Sequence, residues 1–489
     1  MEVVVSVLWA LFLGQNVFAN LNQVDEMYYW KNIQFEDLPL SDDTLIGKYP
    51  YHIPTNIDII GIAYHAQSGV MFTGMGRLRP GIPSTLNAFC TNDYRKGSSP
   101  RLWGVPSFEQ NLLKDEYYYE APYSEGRSLN SPQKTYSAGY YNFFFGQKTE
   151  DQLDETRRLS LKRPYNIPDN HNVISTYHPI VDDRCNRLFI IDTGIIQYNL
   201  EEVYTPQRPT VVVFHIPSNA CENRNFPAIK RIVLPDNLWS NPVGFAYVVP
   251  DYQPKGTCND IFLYITNAFD FSLIVYDWKR DKIRGITDRS MEPIQALSNM
   301  VFDYWFHYTL PQGILYLQLG APDKYGNKQG YYAPGASIGL HSVNTKLLKN
   351  FNHVFTHEDF KLLGYRQCES QAYRQVIDFE TKVMFFGEMQ SHRVTCWNMR
   401  RPLDPDSTDV IFESDDLMFI PEILIDTEGY LWFITDQVPL NYLTALPINS
   451  TEVNSRIYRV KASEAIKGTN CDNQYIGNYD YPYHHFVHH

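Results

Sequence analysis

Residues 174–194 read ISTYHPIVDDRCNRLFIIDTG: an apolar segment, a turn rich in Asp, and a second apolar run that stops at Asp192-Thr193-Gly194. An apolar strand ending in Asp-Thr-Gly is also how an aspartic protease presents a catalytic carboxylate. That chemistry needs two acids about 3 Å apart sharing one proton. The nearest second copy, ILIDTEG at 423–429, interposes Glu428 before Gly429, and no other Asp-Thr-Gly or Asp-Ser-Gly occurs. The protease motif therefore lacks its second half, and the stretch needs another explanation.

Self-similarity supplies it. The same pattern of apolar run, turn and second apolar run recurs as IIGIAYHAQSGVMFTGMG from Ile59, VGFAYVVPDYQPKGTCNDIFLYITNAFD from Val243 and DYWFHYTLPQGILYLQLGAP from Asp303. It returns as RQVIDFETKVMFFGEMQ from Arg374 and IPEILIDTEGYLWFITDQ from Ile420. Third and fourth runs follow several copies, among them TVVVFHI at 210–216, SLIVYDWKRDKI at 272–283 and SRIYRVK at 455–461. The runs are short, rich in Val, Ile, Phe and Tyr, and bounded by turn residues, which predicts strands. Copies start 115, 69, 60, 71 and 46 residues apart. Apart from the first gap, this suits four-stranded propeller blades with their loops. Closing a ring leaves no long exposed edge, so the predicted fold is all-β, a single six-bladed β-propeller over residues 20–489. MYYWKNIQF at 27–35 is the candidate for completing the last blade. The first gap predicts an insertion at 91–170, rich in Tyr and lying between the first two blades, and residues 472–489 form a tail rich in Tyr and His.

The chain opens with an apolar stretch from Val3 to Leu13 and ends Val17-Phe18-Ala19 before a candidate cleavage point, which predicts a signal peptide at 1–19 and a secreted protein. No later stretch has the length of a membrane span. In an oxidising compartment the seven cysteines are candidates for disulfides rather than zinc ligands, with an odd one left over. Asn449-Ser450-Thr451 is the plain N-glycosylation sequon. A formal net charge of −13 argues against a nucleic-acid partner and favours, weakly, a cationic one.

In a propeller the second strands of all blades end on one face, around the mouth of the central channel. Their end residues are read as Gly74, Asp192, Asn267, Gln318, Glu388 and Asp436. Such a set could hold a protonated amine or a calcium ion. Each residue by itself also suits a plain turn role, because Asp and Asn bond the backbone that follows a strand. No Gly-x-Ser-x-Gly elbow, phosphate loop or His-Glu-x-x-His is present, and neither a metal nor a cofactor is assigned.

Four blocks resemble the yellow and major royal jelly protein family of insects: YYWKNIQF (28–35) with GRLRPGIPSTLN (76–87), HPIVDDRCNRLFIIDTG (178–194), IFLYITNAFDFSLIVYDW (261–278), and MFFGEMQSHRVTCWN (384–398) with IDTEGYLWFITDQVP (425–439). The resemblance implies a secreted six-bladed propeller and a role in cuticle pigmentation, eggshell assembly, dopachrome conversion or amine binding. It also implies a disulfide between Cys396 and Cys471. Cys185 lacks the partner that similar proteins place before the run equivalent to TVVVFHI. Cys221 is its candidate replacement, closing a loop of about 36 residues for roughly 3–4 kcal/mol. Dopachrome conversion would need a base, for which His65 and His178 are the available groups, although a His in such a run more often serves the core. Lactonase chemistry of other six-bladed propellers would draw on Glu388, Asn267, Asp192 and Asp436. Tyr117, Tyr118, Tyr119, Tyr123, Tyr136, Tyr140 and Tyr141 suit oxidative coupling, so the first expectation is a non-enzymatic cuticle or eggshell matrix protein with matrix partners. The second is a dopachrome-converting enzyme or a binder of catechol and indole amines.

Overall fold

The computed structural model describes residues 24–36, 38, 52–79, 81–111, 173–197, 203–253, 255–443 and 448–472. Six four-stranded antiparallel sheets stand around a channel. Their innermost strands are Gly61–His65, Ile180–Asp182, Phe245–Tyr252, Gln318–Leu319, Ala372–Asp378 and Glu422–Ile425, with the first touching the second, the second the third, the fourth the fifth, the fifth the sixth and the sixth the first. Second strands such as Arg187–Asp192 and Val383–Glu388 are buried along their whole length, because a neighbouring blade covers each face. That is why they read as continuous apolar runs rather than as alternating ones. Outer strands such as Ala228–Val233 are largely exposed.

The ring is closed by its beginning. Asp25–Trp30 forms the outer strand of blade six, antiparallel to Ser455–Lys461. The same segment reaches blade one, where Trp30 Nε1 donates to the Pro100 carbonyl at 2.7 Å and Tyr29 N to the Ser98 carbonyl at 3.0 Å.

Three expectations are corrected. Residues 91–111 belong to blade one and not to the insertion: Trp103–Gly104 is its fourth strand, paired with Leu86–Cys90. The remainder of the insertion, the signal peptide and most of the tail lie outside the described residues. DYWFHYTL is not the first strand of blade four. Asp303 and Tyr304 adopt left-handed backbone, φ 49° and 64°, and turn the chain back into an extra hairpin, Asn299–Phe302 against Phe306–Thr309. Blade four starts later, with Gln318–Leu319 paired to Gln329–Tyr332.

The third correction concerns Cys185, which does not meet Cys221. Cys185 lies in the first turn of blade two and bonds Cys258 in the corresponding turn of blade three. Cys221 bonds Cys90 of blade one, Cys396 of blade five bonds Cys471 beyond blade six, and Cys368 is free and exposed. Every bridge staples neighbouring blades, a proximity set by the ring and not by spacing along the chain.

Two outcomes follow. Trp30→Ala, which empties a site only 1% exposed at the closure, lowers stability to denaturant by about 3–5 kcal/mol, whereas Val354→Ala at an 83% exposed site changes it by less than about 0.5 kcal/mol. In blade four, burial holds His341 down to about 4, with Asp288 opposing and His357 adding to the shift. Between the ordinary histidine value and that figure the unfolded chain binds the extra proton, so this contribution is complete above about pH 6.5 and is lost as the pH falls towards 4. Melting curves from pH 7 to 4.5 should show wild type losing more than His341→Phe, which keeps the ring stacked on Tyr332. Parallel profiles would dismiss the assignment.

Candidate functional site

Five of the six blades place one polar or aromatic side chain, on or just before the innermost strand, near the channel axis. His178 precedes the first strand of blade two, Tyr247 lies in that of blade three, Tyr316 precedes that of blade four, Arg374 lies in that of blade five, and Glu422 begins that of blade six. They form one buried network. His178 Nδ1 is 3.0 Å from Glu422 Oε2, Arg374 Nη1 donates to Glu422 Oε1, Arg374 Nη2 donates to the Tyr316 hydroxyl at 3.2 Å, and Tyr247 donates to Glu422 Oε2 at 3.4 Å. His178 stacks on Tyr247 with centroids 4.2 Å apart, and the Arg374 guanidinium lies 4.3 Å from the Tyr316 centroid. Glycine makes the approach possible: a Cβ on Gly74 would fall 1.9 Å from the Tyr177 carbonyl oxygen, and one on Gly61 would fall 2.8 Å from His178 Cα. Burial lowers the His178 pKa and outweighs its bond to Glu422, so the ring is held towards its neutral form. Burial also opposes the Arg374 charge, but Glu422, with Tyr316 and Tyr247, more than offsets it and raises the guanidinium above its ordinary value. The network was legible only as one polar or aromatic residue near the start of the first run in five of the six blades, a signal that attention to the ends of the second runs missed.

The predicted ring residues divide. Asp192, Asn267, Glu388 and Asp436 do stand at the ends of second strands on one face, but three of them are consumed by their own surroundings. Asp192 accepts from the backbone N–H groups of Ile174 (2.8 Å), Ser175 (2.9 Å) and Gly194 (2.9 Å) and from Gln207 Nε2 (3.1 Å). Asn267 donates to the Asn241 carbonyl and to Asp270, and accepts from the N–H groups of Phe269 and Asp270. Glu388 accepts from Arg393 Nε at 2.5 Å and Thr395 Oγ1 at 2.9 Å. Gln318 lies at the other end of the channel, on an innermost strand, as the shifted start of blade four requires. Among the described residues no group of three His, Cys, Asp or Glu side chains is placed to hold a metal ion. His65 is likewise bonded on both ring nitrogens, to Ser68 and Asn186.

Asp436 differs. Its Oδ1 accepts from Val438 N at 2.9 Å, while Oδ2 is buried with no hydrogen-bond partner among the described residues. Burial, and secondarily the charge of Asp58, raise its pKa well above the usual carboxylate range. It stands behind the wall of a cavity of about 60 Å³ at this mouth, lined by Tyr177, Phe245, Phe269, Gln312, Tyr373 and Phe419 among others, with Val438 beside Asp436. At about 10–15 Å³ per water this is room for roughly four to six waters. Gln312 Oε1 is a second buried acceptor without a hydrogen-bond partner among the described residues. The opposite mouth is wider, about 540 Å³, and is rimmed by Asp183, Glu380 and Glu428 above Arg374, Tyr316 and Gln318.

Fold and channel thus define a disulfide-stapled six-bladed propeller with a small aromatic chamber at one mouth and a buried ion pair beneath it. Residues 174–471 match the Major royal jelly protein family, and the chain belongs to it. It is 33% identical over 457 residues to the yellow-related salivary protein LJM11 of Lutzomyia longipalpis, covering 91% of this chain and 94% of the relative. It is 29% identical over 455 residues to the yellow-related salivary protein SP03 of Phlebotomus perniciosus, covering 92% and 94%.

Arg374→Met leaves Glu422 buried without its cation and costs about 3–5 kcal/mol, and adding Glu422→Gln recovers most of that loss. Additive losses in denaturant titrations would show that the two side chains act independently.

Proposed function

We propose that this protein is secreted and captures a small aromatic amine at the channel mouth, in the face of the expectation of a matrix role. The observation that carries the reading is an aromatic chamber with the acceptor Gln312 Oε1 in its lining and Asp436 Oδ2 behind Val438 of its wall, both without a hydrogen-bond partner among the described residues. An arylalkylammonium has the complementary form: a flat ring for the walls and N–H donors with positive charge for a buried carboxylate. The acidic net charge favours the same encounter. The relatives are named salivary proteins, which supports secretion. The tyrosines at 117–141, on which a cuticle or eggshell role rests, lie outside the described residues. A dopachrome-converting role would need a base in the chamber, and no histidine is among the described residues that line it.

Calorimetry with serotonin and dopamine tests the reading. Wild type should bind at least one of them. Asp436→Asn should weaken that binding about thirtyfold or more, since losing one partner of a buried charge pair costs about 2–5 kcal/mol. The same variant should be no less stable than wild type, because it removes a carboxylate whose ionisation burial opposes. No heat with either amine, or equal affinity in the variant, would overturn the assignment.

A further inference from the structure

The net charge of −13 hides an uneven distribution. Alternate turns of an antiparallel sheet emerge on one face, so the turns after Phe245–Tyr252 and Ser272–Asp277 in blade three share the face of the wider mouth. The turn after Gln318–Leu319 and the helix Thr345–Lys349 bring blade four to the same side. These four segments, with the first residue of the strand Lys282–Thr287, present Lys255, Lys279, Arg280, Lys282, Lys324 and Lys346, all exposed. The two blades are locked together there. Lys328 and Lys349 of blade four hold the buried Asp251 of blade three at 2.9 and 2.7 Å, and Arg284 Nη2 of blade three donates to the Leu347 and Leu348 carbonyls at 3.0 Å. Two cations on one carboxylate leave the joint itself positive.

We propose that this face of blades three and four binds a sulfated polysaccharide, at a site separate from the chamber. Three observations carry it. The carboxylates within the patch are already engaged. Asp277 accepts from Arg280 Nη1 at 2.9 Å, Asp260 lies 2.7 Å from Lys279 Nζ, Asp281 accepts from the Tyr276 hydroxyl, and Asp323 accepts from the N–H groups of Tyr325 and Asn327 at 2.8 Å. Lys255, Lys282, Lys324 and Lys346 form no ion pair among the described residues. The pairs that do exist leave their cations in water, with the Lys279 and Arg280 side chains 72% and 67% exposed, and exposed pairs are weak enough for a sulfate to share the cation. The second observation is local: WKRDKI, 278–283, sets three cations within six residues on a hairpin turn, a spacing that suits heparin-like polyanions. The third is the surroundings. The carboxylates that rim the mouth, Asp183, Glu380 and Glu428, stand on blades two, five and six, so an anion approaching over blades three and four avoids them. Within the four segments Tyr325 is the one large apolar side chain that is exposed, which is too little for insertion into a membrane and favours a linear, hydrated polyanion.

Fluorescence anisotropy of a labelled heparin oligosaccharide with the whole chain tests the proposal. Two triple variants lose the same charge in different places: Lys282→Gln with Lys324→Gln and Lys346→Gln in the patch, and Lys96→Gln with Arg208→Gln and Lys467→Gln at exposed sites elsewhere. All six positions are exposed, so both variants should melt with wild type. Wild type should bind at about 50 mM NaCl and weaken about tenfold or more by about 200 mM, as counterion release requires. The patch variant should bind about tenfold or more weakly, the control variant within about twofold of wild type. Desulfated heparin, which keeps its carboxylates, should bind far more weakly than heparin. Absence of heparin binding by wild type, or equal losses in the two variants, overturns the site. Equal binding of desulfated heparin overturns sulfate as the recognised group. Tighter binding to duplex DNA or to phosphatidylserine vesicles than to heparin overturns the polysaccharide as the partner.

Discussion

A ring of blades holds together only if its last sheet is completed by the other end of the chain. Here that constraint is met by Asp25–Trp30 lying along Ser455–Lys461, with Trp30 and Tyr29 bonded across to blade one. Without the pairing, blades six and one would each present an unpaired edge and the channel would have no fixed diameter. The three disulfides reinforce the same geometry elsewhere on the ring, joining blades one to two, two to three, and five to the segment beyond six. The closure comes from sequence positions more than 400 residues apart, so it is a long-range contact whose entropy cost must be met by the apolar faces it buries.

Closure also creates the channel chemistry. Five side chains from five blades converge on the His178–Glu422–Arg374 network, and no pair of blades alone would bring them together. A buried ion pair is a weak source of stability compared with apolar packing of the same volume. Its retention at the axis is better understood as a charge-balanced floor that fixes the inner strands and leaves the chamber above it apolar. Asp436, by contrast, keeps an acceptor without a hydrogen-bond partner among the described residues, next to Val438 of the chamber wall.

The repeat was legible because each second strand is sandwiched between blades and must be apolar along its length, so RLFIID, VMFFGE and YLWFIT resemble one another although little else in their blades does. The period failed at blade four. DYWFHYTL has the composition of a strand and does form one side of a hairpin, but its left-handed pair at Asp303 and Tyr304 is invisible in an apolar pattern. The error carried Gln318 to the wrong end of the channel. The carboxylates at strand ends were found for a sound reason: Asp192 and Glu388 have the expected position, and both oxygens of each accept hydrogen bonds from their own surroundings.

The amino-acid sequence by itself determined the strand grammar, the sixfold repeat, the closing segment and the family, because each depends on local pattern or on order along the chain. Only the tertiary structure decided which cysteines meet, which carboxylate retains an unpartnered oxygen, and that a hairpin read as a blade strand stands at the chamber instead. Those properties depend on distances between residues from different blades, and ring closure sets such distances without leaving a trace in the spacing of the residues involved.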